Sequence, residues 1–183
     1  MKRLLILCMI FLSACNQNTQ KKESVEALYD YDVEDRLAEL NITLKNAPPP
    51  VANYVNAVKT GNLMFMAGKG PSKADGTYIT GKVGVDLTVE EGYEAAKLTA
   101  ITQLSVLKHE LGDLNKVVRI VKVLGMVNAD SSFTNHPEVI NGFSDLMVDV
   151  FGERAKHARA AVGMGSLPRN IAVEIEMIVE IQD

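Results

Sequence analysis

The fold is decided near the C-terminus, in the stretch "KHARAAVGMGSLPRNIAVEIEMIVEIQD", residues 156–183. From Val173 onward apolar and acidic residues alternate: Val173, Ile175, Met177, Val179 and Ile181 fall on one face, Glu174, Glu176 and Glu180 on the other. A period of two marks a half-buried β-strand, because successive side chains of an extended chain point to opposite sides. Pro168 announces this strand, expected over residues 171–181, and residues 158–164 form a shorter strand ahead of it. That shorter strand carries Arg159 among alanines and valines. A guanidinium left buried and unpaired would cost about 3–5 kcal/mol, so Arg159 needs a carboxylate partner or a wet site. Two readings meet that demand. In one, Glu174 or Glu176 on a neighbouring strand pairs with Arg159 across the sheet. In the other, the guanidinium fork enters a cleft and grips a substrate carboxylate through two parallel hydrogen bonds, while the glutamate handles a water or a proton.

Upstream, "HPEVINGFSDLMVDVFGE" places Val139, Phe143, Leu146, Met147 and Val150 on one side of a helix. Before it, "VVRIVKVLGMV", residues 117–127, is rich in β-branched residues and reads as a strand buried largely on both faces. The clearest helix runs from Thr88 as N-cap to Gly112 as stop, and Glu91 three residues after the cap completes a capping box. His109 belongs near its C-terminal end, where a cation complements the helix dipole. "YVNAVKTGNLMFMAG" divides at Thr60-Gly61-Asn62 into a hairpin with strands near 54–59 and 63–67, and a short strand is expected near 78–80. Residues 33–44 have helical spacing after an Asp32 cap, and the prolines of "NAPPPVAN" end that helix. The order β-β-β-α-β-α-β-β predicts an α+β domain: a single mixed β-sheet with two helices packed on one face.

The N-terminal "MKRLLILCMIFLSAC" joins a Lys2-Arg3 start to an unbroken apolar run and small residues before Cys15. It reads as a signal peptide, residues 1–15, too short to span a bilayer as a stable helix. The ending Leu12-Ser13-Ala14-Cys15 resembles the lipobox of bacterial lipoproteins, which makes Cys15 the lipidated first residue of the mature chain. Residues 16–45 are then a polar tether with a short amphipathic helix, and residues 46–183 the domain. This places the protein in the bacterial cell envelope, lipid-anchored and facing the periplasm or the surface, and touching the membrane through the anchor alone.

Both cysteines, Cys8 and Cys15, fall in the leader or at its end, which removes disulfides and cysteine nucleophiles from the body. Loss of Lys2 and Arg3 moves the formal charge from -4 further into the acidic range, which argues against a nucleic-acid partner. The three histidines, His109, His136 and His157, stand singly, so no metal site is expected. No Gly-x-Ser-x-Gly elbow is present, and the glycines of "AGKGPSKADG" lack the Gly-Lys-Ser/Thr ending of a phosphate loop.

The segment "HARAAVGMGSLPRNIAVEIEMIVEI", together with "NYVNAVKTGNLMFMAGKGP" and "KVVRIVKVLGMV", resembles the Rid (YjgF-type) family of reactive imine and enamine deaminases. The resemblance covers residues 46–183 and implies a chorismate-mutase-like fold assembled as a homotrimer, with sites in the clefts between subunits. It implies hydrolysis of small 2-imino or 2-enamino acids to 2-oxo acids and ammonia, without a cofactor. By position, Arg159 matches the family's carboxylate-binding arginine and Glu174 the glutamate that orients the attacking water. Tyr54 matches the aromatic lining the pocket, and Asn141 an asparagine near the site. Two positions depart: Ala67 stands where the family has a pocket serine, and Ala161 where it has a cysteine, though the Ala161 backbone N–H can still serve. His157 is a candidate to replace the missing hydroxyl. The departures leave a second function open, a non-catalytic trimeric lipoprotein that binds small carboxylates.

Overall fold

A computed structural model of the protein describes residues 27–182. The signal peptide, Cys15 and most of the polar tether lie outside the described residues. The elements are α1 (Val33–Glu39), β1 (Ala57–Thr60), β2 (Leu63–Lys69), α2 (Val89–Leu111), β3 (Val117–Asn128), α3 (His136–Phe151), β4 (Ala158–Met164) and β5 (Val173–Ile181). The five strands form one sheet in the order β1-β2-β5-β3-β4. All neighbours are antiparallel except β3 and β4, which α3 joins as a parallel pair.

The long helix forms as its punctuation requires. Thr88 accepts from the Glu91 N–H, the Glu91 carboxylate reaches back to the Thr88 N–H, and Gly112 ends the helix in the left-handed conformation with φ 71°. α2 and α3 cover one face of the sheet and bury the apolar row of β5, with Val173, Ile175 and Val179 fully enclosed and Met177 nearly so. The α2–α3 crossing is close, because a Cβ on Gly142 would lie 2.0 Å from the Tyr93 carbonyl oxygen. α3 also lies tight on β3, since a Cβ on Gly125 would fall 2.6 Å from Ile140 Cδ1.

The structure departs from expectation in three places. No third strand follows the hairpin: Tyr78 and Thr80 make only isolated bridges, to Ser72 and Ile171, so the sheet has five strands. The first strand starts at Ala57, because residues 51–55, Tyr54 among them, have left the ladder and stand exposed. The compact body begins before residue 46: Asp32 caps α1, whose Val33 and Leu37 sit in the common core. Tyr31 and Arg36 tie this segment to the end of α3 through Val150 O and Asp149 O.

Among the described residues no helix covers the other face of the sheet. Val58, Phe65 and Val162 are exposed on it, Leu124, Met126 and Ile178 are half-buried, and Glu174 and Glu176 lie between them. An antiparallel sheet can leave one face to water, but it then usually carries polar residues there.

Candidate functional site

The residues singled out from the sequence fall into two groups that one protomer keeps apart. The first lies on the helix-covered side of β4, at the edge of the sheet. Arg159 is in register with Val123 of β3, which in turn faces Met177 of β5, so its side chain emerges on the same side as the core. Its Nη1 donates to Asn141 Oδ1 at 2.9 Å and to Ser144 Oγ at 3.0 Å, both on α3. Asn141 and Ser144 share a helix face through their three-residue spacing, and the small Gly125 and Ala161 let α3 come near enough to present them. Among the described residues Nε and Nη2 make no bond, so one edge of the guanidinium fork is held in place yet uncommitted.

His157 completes this group. Its Nδ1 lies 2.6 Å from Ala155 O and its Nε2 3.1 Å from Ser144 Oγ. A carbonyl accepts only, so Nδ1 carries the proton and Nε2 accepts from the serine hydroxyl. Burial, with the Arg159 charge adding to it, holds this imidazole below the usual histidine pKa, while the bond to Ala155 opposes the shift. His157 therefore positions Ser144 for Arg159. Within one protomer it does not reach the Ala67 region, where it was a candidate to replace a hydroxyl.

The second group lines a cavity of about 530 Å³ beside β2 and β5, walled by Pro48, Tyr54, Ala67, Gly68, Ile171 and Glu174. A β-bulge between Met66 and Lys69 sets its shape, pinned by Gln103 of α2, whose Nε2 donates to Ala67 O at 3.0 Å and Ile175 O at 2.8 Å. Gly68 leaves room for the carboxylate, because a Cβ there would lie 2.4 Å from Glu174 Oε1 and push it aside. The carboxylate thus rests over bare backbone. Burial pushes its pKa above the ordinary carboxylate range, Glu176 adds to that rise, and Lys69 opposes it. A carboxyl so placed is a candidate general base.

The proposed cross-sheet pair of Arg159 with Glu174 or Glu176 does not form. β3 lies between β4 and β5, and Glu174 and Glu176 emerge on the helix-free face, opposite to Arg159. Among the described residues Arg159 is bonded to two neutral groups and has no acidic partner, so the alternative of a site for an anion remains. Sequence reasoning missed Ser144, whose signal was its spacing from Asn141, and Lys69, whose burial beside Glu174 no local pattern marks. Among the described residues no cluster of three or more His, Cys, Asp or Glu could hold a metal ion.

Comparison with known proteins agrees with this fold. Residues 34–181 match the family model described as "YjgF/chorismate_mutase-like, putative endoribonuclease". Protein TCP17 of Trypanosoma cruzi is 42% identical over 148 residues, which cover 80% of this chain and 92% of that protein. The 2-iminobutanoate/2-iminopropanoate deaminase of Escherichia coli K12 is 28% identical over 142 residues, covering 75% of this chain and 94% of the enzyme. The crystal structure of Atu1372 from Agrobacterium tumefaciens superposes with a TM-score of 0.76 at 44% identity, covering 82% of this chain and 94% of that one. A mixed five-stranded sheet backed by helices, with this span of matched residues, places the chain in the YjgF family.

Proposed function

We propose that the protein is a hydrolytic deaminase of small 2-imino and 2-enamino acids, acting as a homotrimer held in the cell envelope by a lipid on Cys15. One observation carries the reading. The anion-binding half, Arg159 with Asn141, and the water-orienting half, Glu174 over Gly68 with Tyr54, stand on opposite faces of one sheet, so neither is a site alone. A second copy docked on the helix-free face would bring the Arg159 edge of one subunit against the Glu174 cavity of the next. The exposed Val58, Phe65 and Val162 on that face support such docking.

In the assembled site the free edge of the Arg159 fork takes the substrate carboxylate. Water attacks C2 of the imine, Glu174 accepts the water proton, and the imine nitrogen is protonated. The resulting carbinolamine expels ammonia and leaves the 2-oxo acid. Because Glu174 must be ionised, the rate rises with pH through its raised pKa.

The similar Escherichia coli protein named as an iminobutanoate deaminase supports this substrate class. The net acidic chain, at -4 before processing, counts against the RNA substrate that the family's description suggests. Ammonia release from freshly generated 2-iminobutanoate tests the reading. Arg159→Ala should lower kcat/KM about 10²-fold or more without changing the oligomer mass, and absence of turnover with every small imino acid would sink it. Ala67, which offers no hydroxyl to the cavity, favours one alternative, a carboxylate-binding protein without chemistry. That reading expects thermal stabilisation by 2-oxo acids with no product formed.

A further inference from the structure

Lys69 lines the cavity as an amine that the deaminase mechanism does not use. It ends β2 immediately after the bulge and lines the same cavity as Glu174, yet it is only 8% exposed. Its Nζ lies 2.6 Å from Asn56 Oδ1 and 5.9 Å from the centroid of the Tyr54 ring. Asn56, itself 7% exposed, is oriented by its Nδ2 donating to Pro48 O at 2.9 Å, so its oxygen is fixed toward the amine. Among the described residues no carboxylate stands within ion-pair distance of Nζ, although Glu174 is near enough to act on its charge.

A lysine kept to neutralise a buried carboxylate would be paired with it directly. Lys69 is held by a neutral amide, and that bond survives loss of a proton because a neutral amine still donates. Burial draws its pKa below the usual lysine value, with Glu174 partly opposing. Lys69, Glu174 and Tyr54 line one cavity of about 530 Å³, and an amine, a carboxyl group and an aromatic wall are the parts needed to capture a carbonyl.

We propose that Lys69 is an amine nucleophile that forms a Schiff base with the C2 carbon of a small 2-oxo or 2-imino acid in this cavity. With a 2-oxo acid, the Lys69 lone pair adds to C2, Glu174 in its protonated form delivers a proton to the departing hydroxyl, and water leaves as the C=N bond forms. With a 2-imino acid, addition at C2 gives a geminal diamine that expels ammonia and leaves the same Schiff base. Water then adds to C2, and collapse of the carbinolamine returns the free amine and the 2-oxo acid. Every step is redox-neutral. The proposal rests on the cavity's being the seat of a small 2-imino or 2-oxo acid, and it makes Lys69 a covalent participant there.

The test traps the covalent bond, a readout independent of ammonia release. The full chain, purified in detergent, is incubated with pyruvate and sodium cyanoborohydride, digested, and its peptides are mapped by mass spectrometry. The expected result is one reduced pyruvate adduct on Lys69, formed about tenfold or more faster than on the exposed Lys73. The adduct should saturate with pyruvate concentration and vanish in Lys69→Arg and Lys69→Met. Labelling of Lys69 no faster than of Lys73 overturns the proposal, and so does ammonia release by the wild type with no adduct trapped during turnover. An adduct on Lys69 in a protein that releases no ammonia upholds it while removing the deaminase reading.

Discussion

Glu174 is held where its charge is poorly solvated, and the consequence runs against the usual expectation for an acidic residue. Because its folded pKa is raised, the native state binds its proton more tightly than the unfolded chain does. The stability this contributes is full below the unfolded pKa and lost as pH rises through the folded one. At pH 7–8 the ionised carboxylate therefore works against the fold, and Glu174→Gln should raise the melting midpoint, by about 1–3 °C in calorimetry. The same substitution should lower kcat about 10²-fold or more. A glutamate kept for structure would destabilise on removal. His157 shifts the other way: its depressed pKa means that its contribution is present above the ordinary histidine pKa and lost as pH falls through the folded value. Ser144 tests the positioning of Arg159 directly. Ser144→Ala removes one of the two bonds on Nη1, worth about 1 kcal/mol, so KM should rise several-fold while kcat changes less.

At the scale of elements, the site depends on how closely α3 approaches its neighbours. Gly142→Ala would drive a methyl into the Tyr93 carbonyl, a backbone atom that cannot swing aside, so α2 and α3 must separate. The expected loss is about 1–3 kcal/mol in denaturant unfolding, with activity falling as well because α3 carries Asn141 and Ser144. Elements with local punctuation were legible from the sequence: the Thr88 capping box, the Gly112 stop and the alternation of β5 each specify their own geometry. The 78–80 strand was not legible, because Tyr78 and Thr80 each bridge a single residue and β-propensity cannot tell a bridge from a ladder. Strand order was the larger gap. Nothing local to residues 158–181 says that β3 inserts between β4 and β5, and that insertion separates Arg159 from Glu174. The candidate residues were named through family resemblance, but their division between the two faces of the sheet depends on topology and appears only in the fold.

For the whole molecule, the half-sites turn assembly into a question that activity can answer. If each working site takes Arg159 from one subunit and Glu174 from the next, a closed ring of three has three such junctions related by symmetry. Arg159→Ala and Glu174→Gln homotrimers are then both inactive, each lacking one half at every junction. Mixed trimers differ. A junction works when its arginine comes from a Glu174→Gln subunit and its glutamate from an Arg159→Ala subunit, which random mixing in equal amounts gives at about one junction in four. Co-expression of the two variants, with light scattering to confirm the trimer, should therefore restore about a quarter of wild-type turnover. A site built within one subunit predicts no recovery, since every subunit in the mixture carries a lesion. Aggregation through the helix-free face gives a different mass and no fixed fraction of activity. Adding Phe65→Asp to both variants places charge on that exposed face and should abolish both the trimer and the recovered turnover. Recovery that persists in monomers of this variant would show that the two halves meet by some route other than docking on the open sheet.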